Sequence, residues 1–547
     1  MAGGLLNLIS NGNNNIILTG NPSKTFFKVN YSKYTNFGLQ KFRIDYDGLR
    51  ELRLTEPSTF TFKFKRYADL LMDTYLVVSL PDIWSPIYNP CEQTGHKWAP
   101  YEFRWIENLG TNMISEIVIN CGSHTIQKYS GDYLAAMVER DFSTEKKKLF
   151  YEMTGHVPEL NNPSIAFNRQ NTYPSAYYST SMQGAEPSIR GRNIYIPINT
   201  WFTLDSRCAF PMVALQYNEL SITVTLRPIR ELFQVRDVYD YATNFPYMQP
   251  DLNLTQFEMY PFLQTPPKDL SVGLPHAYEN KRNTWNADVH MISTYCFLSP
   301  EEAKRFAMED QIYLVKDVFT YNFQNITGTQ KVSLTSSGMV ANWMFYLQRN
   351  DVNMRNEWSN YTNWPYKHIP QDAQPAPRED GEGNVGPAVN IDGYSTGLFT
   401  TGDYASKNQK EILETMAIVF NGDYRENVLE SGVYNYVEKY VRTNGHAKEG
   451  LYCYNFCLNT NPLEYQPSGA INLSKFRLIE LEVSTNVPSL DVENSEFNVI
   501  CDDNGTPVGI SKLNWQLFEY NYNMTLFEER YNILSFIGGN CGMLYAR

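Results

Sequence analysis

Polar and apolar residues alternate with period two through much of this chain. In "STFTFKFK", Phe60, Phe62 and Phe64 fall on one side and Thr59, Thr61, Lys63 and Lys65 on the other. That is the pattern of a strand with one wet face. "LSITVTL" at 220–226 repeats it, with Leu220, Ile222, Val224 and Leu226 on one face. "DTYLVVSLP" at 73–81 and "ISEIVIN" at 114–120 predict more buried strands. Beyond a stretch without alternation at 236–253, which carries Pro246 and Pro250, strands are predicted again at 287–297, 311–319, 341–348, 411–420, 450–458 and 476–483, and in the long run 513–527. Only two helices are expected. "SGDYLAAMVER" at 130–140 is one. "SPEEAKRFAMED" at 299–310 is the other, with Ser299 as N-cap, Pro300 at the first helical position and Glu302 closing a capping box.

Two long stretches interrupt the strands. Residues 142–190 are mixed polar and aromatic, and 363–410 is rich in Pro, Gly and Asp. Loops of this length in a β domain are uncommon and usually functional. The expected fold class is all-β: two tandem β-sandwiches with long inserted loops and a few short helices. The expected division is an N-terminal arm at 1–24, a first domain at 25–240 and a second at 241–547, the last carrying the surface loop 363–410. The first strand is expected near Thr25, with Phe26 and Phe27 entering the core.

Aromatics make up 14% of the 547 residues, which suits a pleated, half-buried surface. A formal net charge of -13 argues against direct nucleic-acid binding, which needs a basic footprint. The run Lys146, Lys147, Lys148 reads as a solvated loop or helix end. Of the eight cysteines no two are spaced C-x-x-C, and Cys453 and Cys457 would lie ~13 Å apart along a strand, too far for a disulfide. With no basic residue before Lys24 and no apolar run of about 18 residues, folding in a reducing compartment is expected, with no membrane span.

The arm opens with Leu5, Leu6, Leu8 and Ile9, followed by the polar run Asn11 to Asn15, a candidate hinge. Leu5, Leu8 and Ile9 share one helical face, but a helix of about ten residues is marginal alone in water. Burying four aliphatic side chains yields roughly 6–12 kcal/mol. Ordering ten residues costs on the order of 10–20 kcal/mol. These four residues are therefore the candidate assembly site: they need a neighbour to hold them down.

Apparent catalytic motifs lack their context. "GEGNVG" at 381–386 matches a dinucleotide loop but sits between Pro-rich segments instead of a strand and a helix. "GYSTG" at 393–397 matches a nucleophile elbow, and Asp423 and His446 follow Ser395 in hydrolase order, but no strand leads into it. "DDNG" at 502–505 lacks the glutamate of a calcium loop and reads as a hairpin turn. No two of the seven histidines are closer than His276 and His290. Glu301 and Glu302 read as helix-start charge, and Glu528 and Glu529 as a solvated loop. No catalytic, cofactor-binding or metal residue is expected, and the chain is not expected to be an enzyme.

Several longer segments carry a resemblance. The opening "MAGGLLNLIS…ILTGNPSKTFFKVNYSKYTNF", "YIPINTWFTLDSRCAFPMVALQYNELSITVTL" at 195–226, "FNGDYRE" at 420–426, "QPSGAINLSKFRLIELEV" at 466–483 and the closing "YNILSFIGGNCGMLYAR" appear in the order found in one family. Over nearly its whole length the chain resembles the double jelly-roll major capsid proteins of nucleocytoplasmic large DNA viruses. That resemblance implies two jelly rolls per subunit, a homotrimeric pseudo-hexagonal capsomer, and an icosahedral shell assembled in host cytoplasm. It also implies minor capsid and penton proteins as partners and, as a further candidate, a membrane layer beneath the shell. The family usually has Asn-Phe-Ser-Arg where this chain has Asn472, Leu473, Ser474 and Lys475, and lysine cannot reproduce a bidentate arginine contact. Two readings of other classes stand beside it: a glycan-binding β-sandwich protein using the long loops, and a hydrolase using Ser395.

Overall fold

The alternating segments become the walls of two sandwiches. The computed structural model describes residues 3–46, 48–88, 99–176, 184–237, 246–253, 257–267, 278–367, 374–375, 377–379, 385–387, 399–400, 409–488, 497–501, 507–512, 515–517 and 519–545. Eight strands build the first sandwich: β1 (Phe37–Asp45), β2 (Ser58–Lys63), β3 (Leu70–Ser79), β4 (Ile114–Cys121), β5 (His124–Tyr129), β6 (Asn193–Pro197), β7 (Leu220–Leu226) and β8 (His290–Leu298). Eight more build the second: β9 (Gln311–Ile326), β10 (Thr329–Ser333), β11 (Met339–Arg349), β12 (Leu413–Phe420), β13 (Asp423–Glu430), β14 (Leu451–Asn455), β15 (Ile479–Thr485) and β16 (Tyr522–Ile537).

The two halves share one topology. In the first, β1-β8-β3-β6 faces β2-β7-β4-β5; in the second, β9-β16-β11-β14 faces β10-β15-β12-β13. All these pairs are antiparallel. Writing each set of eight as B to I gives B-I-D-G over C-H-E-F twice, the jelly-roll order. Because neighbours are antiparallel, the B–C, D–E, F–G and H–I connections all leave one end of each roll. The long excursions 80–113, 130–192 and 227–289, and 350–412 and 486–521, therefore rise from the same end as their neighbours within a roll. The opposite end carries tight connections such as Asn421-Gly422, where both φ angles are positive (53° and 93°) as a two-residue hairpin of the primed kind requires.

Three expectations need correction. First, β8 lies beyond the expected boundary at 240/241, yet it is hydrogen-bonded between β1 and β3. It completes the first roll, so the chain changes rolls only at the helix Pro300–Met308. The Pro-rich break at 236–253 belongs to an excursion. Second, Phe26 and Phe27 do not enter a core; they are 88% and 98% exposed, and β1 starts at Phe37. Third, the last long strand runs over Tyr522–Ile537, offset from 513–527.

Helix α1 (Gly3–Ile9) and α2 (Ile16–Thr19) form in the arm, and α3 (Gly131–Asp141) and α4 (Thr144–Thr154) in one first-roll excursion. Ser130 and Ser143 cap α3 and α4, accepting from Tyr133 N and Lys146 N. The α4 helix was not legible: its three consecutive lysines read as solvated, whereas Lys147 is buried and donates to the His446 carbonyl. The helix α5 (Pro300–Met308) forms as expected, but Ser299 makes no side-chain cap bond.

Two apolar cores result. One fills the second roll, with Trp343, Phe345, Leu347, Leu526 and Tyr522. The other fills the first roll and continues across the junction to Met344, Tyr346, Phe527, Leu534 and Phe536. β11 and β16 thus bury both faces, one in their own roll and one against the first. This explains why "MVANWMFYL" is apolar at every position but Asn342, where alternation would be expected of a half-buried strand.

Candidate assembly surfaces and the junction between the rolls

α3 is the wedge between the rolls. Nearly every position is buried, including Tyr133, Leu134, Met137, Val138 and both Arg140 and Asp141. Arg140 spreads its donors over the second roll. Nη2 reaches Glu529 Oε1 at 2.9 Å and Asp141 Oδ2 at 2.7 Å, and Nη1 reaches Asn342 Oδ1 at 2.7 Å. Tyr133 OH donates to Glu529 Oε1 and Asn342 Nδ2 to Glu529 Oε2, each at 2.9 Å. Lys316 adds a second cation 3.7 Å from Glu529. Two cations thus meet two carboxylates. Asn342 and Glu529 are opposite each other in register and share the face that carries Met344, Tyr346 and Phe527.

Burial opposes ionisation at Glu529, but Arg140 and Lys316 outweigh it and lower its carboxyl to about 2. For Asp141 burial wins and its carboxyl is raised. Arg140, despite burial, is held charged by Asp141 and Glu529. Glu528 turns to the other face, accepting from Trp343 Nε1 at 2.7 Å and from Ser336 Oγ and Arg530 Nε. The expectation of a solvated Glu528/Glu529 loop is therefore wrong: both lie inside β16, almost inaccessible.

A second polar cluster ties the excursions together at the loop-bearing end. Arg349 and Arg355 converge on Asp351, at 2.7 Å and 3.1 Å, all three fully buried. The same arginines donate to the carbonyls of Asn363, Pro365 and Trp515. First-roll segments join in: Trp358 Nε1 donates to Glu231 O, and Asn356 Nδ2 to Arg230 O and Phe233 O. The expected surface loop 363–410 lies mostly outside the described residues, but its neck is described. Asn363 N donates to Lys410 O at 2.9 Å, and Asn363 Nδ2 to Gln409 O at 3.1 Å.

The N-terminal arm touches none of this. Every described residue from Gly3 to Lys41 is exposed. Leu5, Leu6, Leu8 and Ile9 do form a helix, at 47% to 75% exposure, so the structure brings them together without burying them. The asparagine run is not an open hinge throughout: Asn13–Asn15 make a 3-10 turn leading into α2. Sequence reasoning also missed a second apolar set, Ile16, Ile17 and Leu18, whose three adjacent aliphatics were a visible signal. The arm carries Lys24, Lys28 and Lys33, while the first acidic residue of the chain is Asp45.

Other singled-out residues fall into structural places. In the departing motif, Leu473 is fully buried, Asn472 accepts from Ser474 N, and Ser474 Oγ accepts from Gly338 N. Leucine thus fills the packing role, and Lys475 lies exposed beside it. Ser395 lies outside the described residues, as does most of "GEGNVG"; its described part, Val385 and Gly386, lies in the short strand Val385–Pro387, which pairs antiparallel with Pro377–Glu379. The segment 502–505, expected as a hairpin turn, also lies outside the described residues; the flanking strands Phe497–Cys501 and Pro507–Lys512 are paired. Among the described residues no group of His, Cys, Asp and Glu is arranged to hold a metal, and no helix is long and apolar enough to cross a membrane.

Comparison with known proteins gives one consistent set. Residues 25–260 match the family model of the major capsid protein N-terminus, and 302–542 that of the large eukaryotic DNA virus major capsid protein. The chain is 23% identical over 98% of its length to a major capsid protein of Phaeocystis pouchetii virus, 99% of which is covered. It is 22% identical to that of Paramecium bursaria Chlorella virus 1, with all of both chains aligned. Among solved structures, a chain of the PBCV-1 virus capsid superposes with a TM-score of 0.59 at 19% identity, over 96% of this chain and 100% of that one. The Faustovirus major capsid protein gives 0.57 at 11% identity, over 93% and 92%.

Proposed function

The chain belongs to the major capsid proteins of large eukaryotic DNA viruses, and on that premise we propose that it is the subunit of a trimeric, pseudo-hexagonal capsomer that tiles an icosahedral shell. The observation that carries this reading is the doubled B-to-I strand order, with the two rolls welded by α3 and the Arg140–Glu529 network. Two like columns per subunit turn a threefold trimer into a near-sixfold tile, and a rigid junction keeps that tile flat. The subunit is read as structural, and the buried Glu529 carboxylate serves the junction, taken up by Arg140, Asn342 and Tyr133. The relatives named above carry the names of capsid proteins, which gives no support to the glycan-binding alternative, and it is dropped. The buried thiols support folding in a reducing place such as host cytoplasm.

The arm is the clamp between tiles. Leu5, Leu6, Leu8 and Ile9, with Ile16 to Leu18, grip an adjoining capsomer, a minor capsid or penton protein, or a layer beneath the shell. The excursion 363–410 crowns the second roll on the outer side. Deleting residues 1–20 tests the clamp. Trimer formation and melting should stay nearly unchanged, because the arm makes no described contact with the body, while assembly into facets is lost. Failure to trimerise, or assembly equal to the full chain, contradicts it.

A further inference from the structure

The two rolls are joined a second time by the C-terminal hairpin. Strand Asn540–Met543 folds back on β16, pairing Cys541 with Phe536 and Asn540 with Ile537. Its turn presses on the first roll. Gly539 O accepts from Gln216 N at 2.9 Å and Tyr217 N at 3.3 Å. A Cβ placed on Gly539 would stand 2.9 Å from the Gln216 side chain, so the approach is close. The same hairpin strand lies against β5. Cys121, the last residue of β4, pairs with Leu220 and His124 beside this contact.

Cys121 and Cys541 meet there. Both are buried, at 0% and 3% exposure, within the one core that runs across the junction. The Cys121 side chain is close enough to Cys541 to raise its thiol, and the hairpin that carries Cys541 packs against β5, which pairs with β4 at Cys121. The other described thiols differ. The Cys453 thiol is influenced by Arg140 and Lys439, and that of Cys208 by Asp205 and Arg207. The pair was invisible in sequence because its members are 420 positions apart in different rolls.

We propose that Cys121 and Cys541 form an oxidation-dependent disulfide that staples the C-terminal hairpin of the second roll to the first. The oxidant is a small disulfide such as oxidised glutathione. Cys541 lies on the chain's final hairpin, which opens more readily than β4 in the sheet. On opening, its thiolate attacks the glutathione disulfide, forming a mixed disulfide and releasing one glutathione thiolate. The Cys121 thiolate then attacks the Cys541 sulfur, forming the Cys121–Cys541 bond and releasing the second glutathione. Two protein thiols lose their protons and are oxidised, and one glutathione disulfide is reduced. The neighbouring Cys121 thiol and burial raise the Cys541 thiol well above its ordinary range. A thiol buried in this way reacts slowly while the hairpin is closed, so the staple waits on its opening. The closed loop would span most of the chain and both rolls, the geometry in which a cross-link restrains the unfolded ensemble most.

The test uses the full chain, incubated with reduced or oxidised glutathione. After oxidation, intact mass should fall by about 2 Da per chain, and a non-reducing peptide map should show Cys121 joined to Cys541. The midpoint of thermal unfolding should rise by several degrees and return with dithiothreitol. Cys541→Ser and, separately, Cys121→Ala should abolish both the cross-link and the rise, while melting like the wild type under reductant to within a few degrees. If either variant fails to fold, the wild-type peptide map alone decides. A folded, oxidised wild type with no Cys121–Cys541 peptide, or one linked through other cysteines, overturns the proposal. Because the readout is the covalent state of one chain, it does not depend on capsomer assembly.

Discussion

Arg140 is the residue on which the junction turns. It is inaccessible, and its partners come from its own helix and from two strands of the other roll. Arg140→Met would keep much of its volume but leave Asp141 and Glu529 buried without their main cation. A cost of about 3–5 kcal/mol is expected in denaturant unfolding. Glu529→Gln combined with Arg140→Met should lose less than the sum of the two single changes, because the members share one network. Acid should act through the same carboxylate. The folded Glu529 titrates at about 2 and the free side chain near 4.5, so its contribution is complete above pH 4.5 and is lost as pH falls through about 2. Asp141, raised by burial, works in the opposite direction. Unfolding free energy measured between pH 5 and 2 should therefore fall less steeply for Glu529→Gln than for the wild type (a window of about 2 to 5, set by the cited shift). An equal slope would show that Glu529 is not the acid-sensitive member. None of this was legible in sequence. Two adjacent glutamates read as surface because their partners, from another roll, leave no local trace.

At the scale of elements, period-two alternation located most of the strands, since each has one face in a core and one facing outward. It failed where that condition failed. β1 begins with both faces exposed, so nothing in its pattern separated Phe37 from Phe26 and Phe27. β11 and β16 bury both faces, which blurred the limits of the last strand. The first-roll boundary was misplaced because β8 returns after a long excursion, and only pairing, not composition, shows which sheet it joins. The neck of the 363–410 excursion yields an element-scale expectation. Because Asn363 closes on Gln409 and Lys410, and Arg349 and Arg355 hold its base, a cut within 368–408 should leave the roll's own hydrogen bonds intact. Its Pro/Gly/Asp composition makes it the expected first site of limited proteolysis. The nicked chain should melt within a few degrees of the intact one and keep its oligomeric state. Collapse on nicking would make the excursion an interface element.

At the scale of the whole molecule, the structure offers a stiff pair of rolls and an arm with nowhere of its own to go. The two halves use the same strand order, share a continuous core at the junction and are fastened by buried charge on one side and the C-terminal hairpin on another. The joint order of long segments made the family resemblance legible from sequence, because strand order and inter-strand contacts constrain many positions weakly. The arm's role was legible only in part: Leu5 to Ile9 were evident, and Ile16 to Leu18 were not. The central claim is that the chain is built to assemble as three pairs of rolls. Native mass spectrometry of the purified full-length chain at micromolar concentration tests it most directly. A species of about 190 kDa, three times 63.2 kDa, is expected without any added cofactor. A folded chain that remains at 63.2 kDa under the same conditions would contradict it.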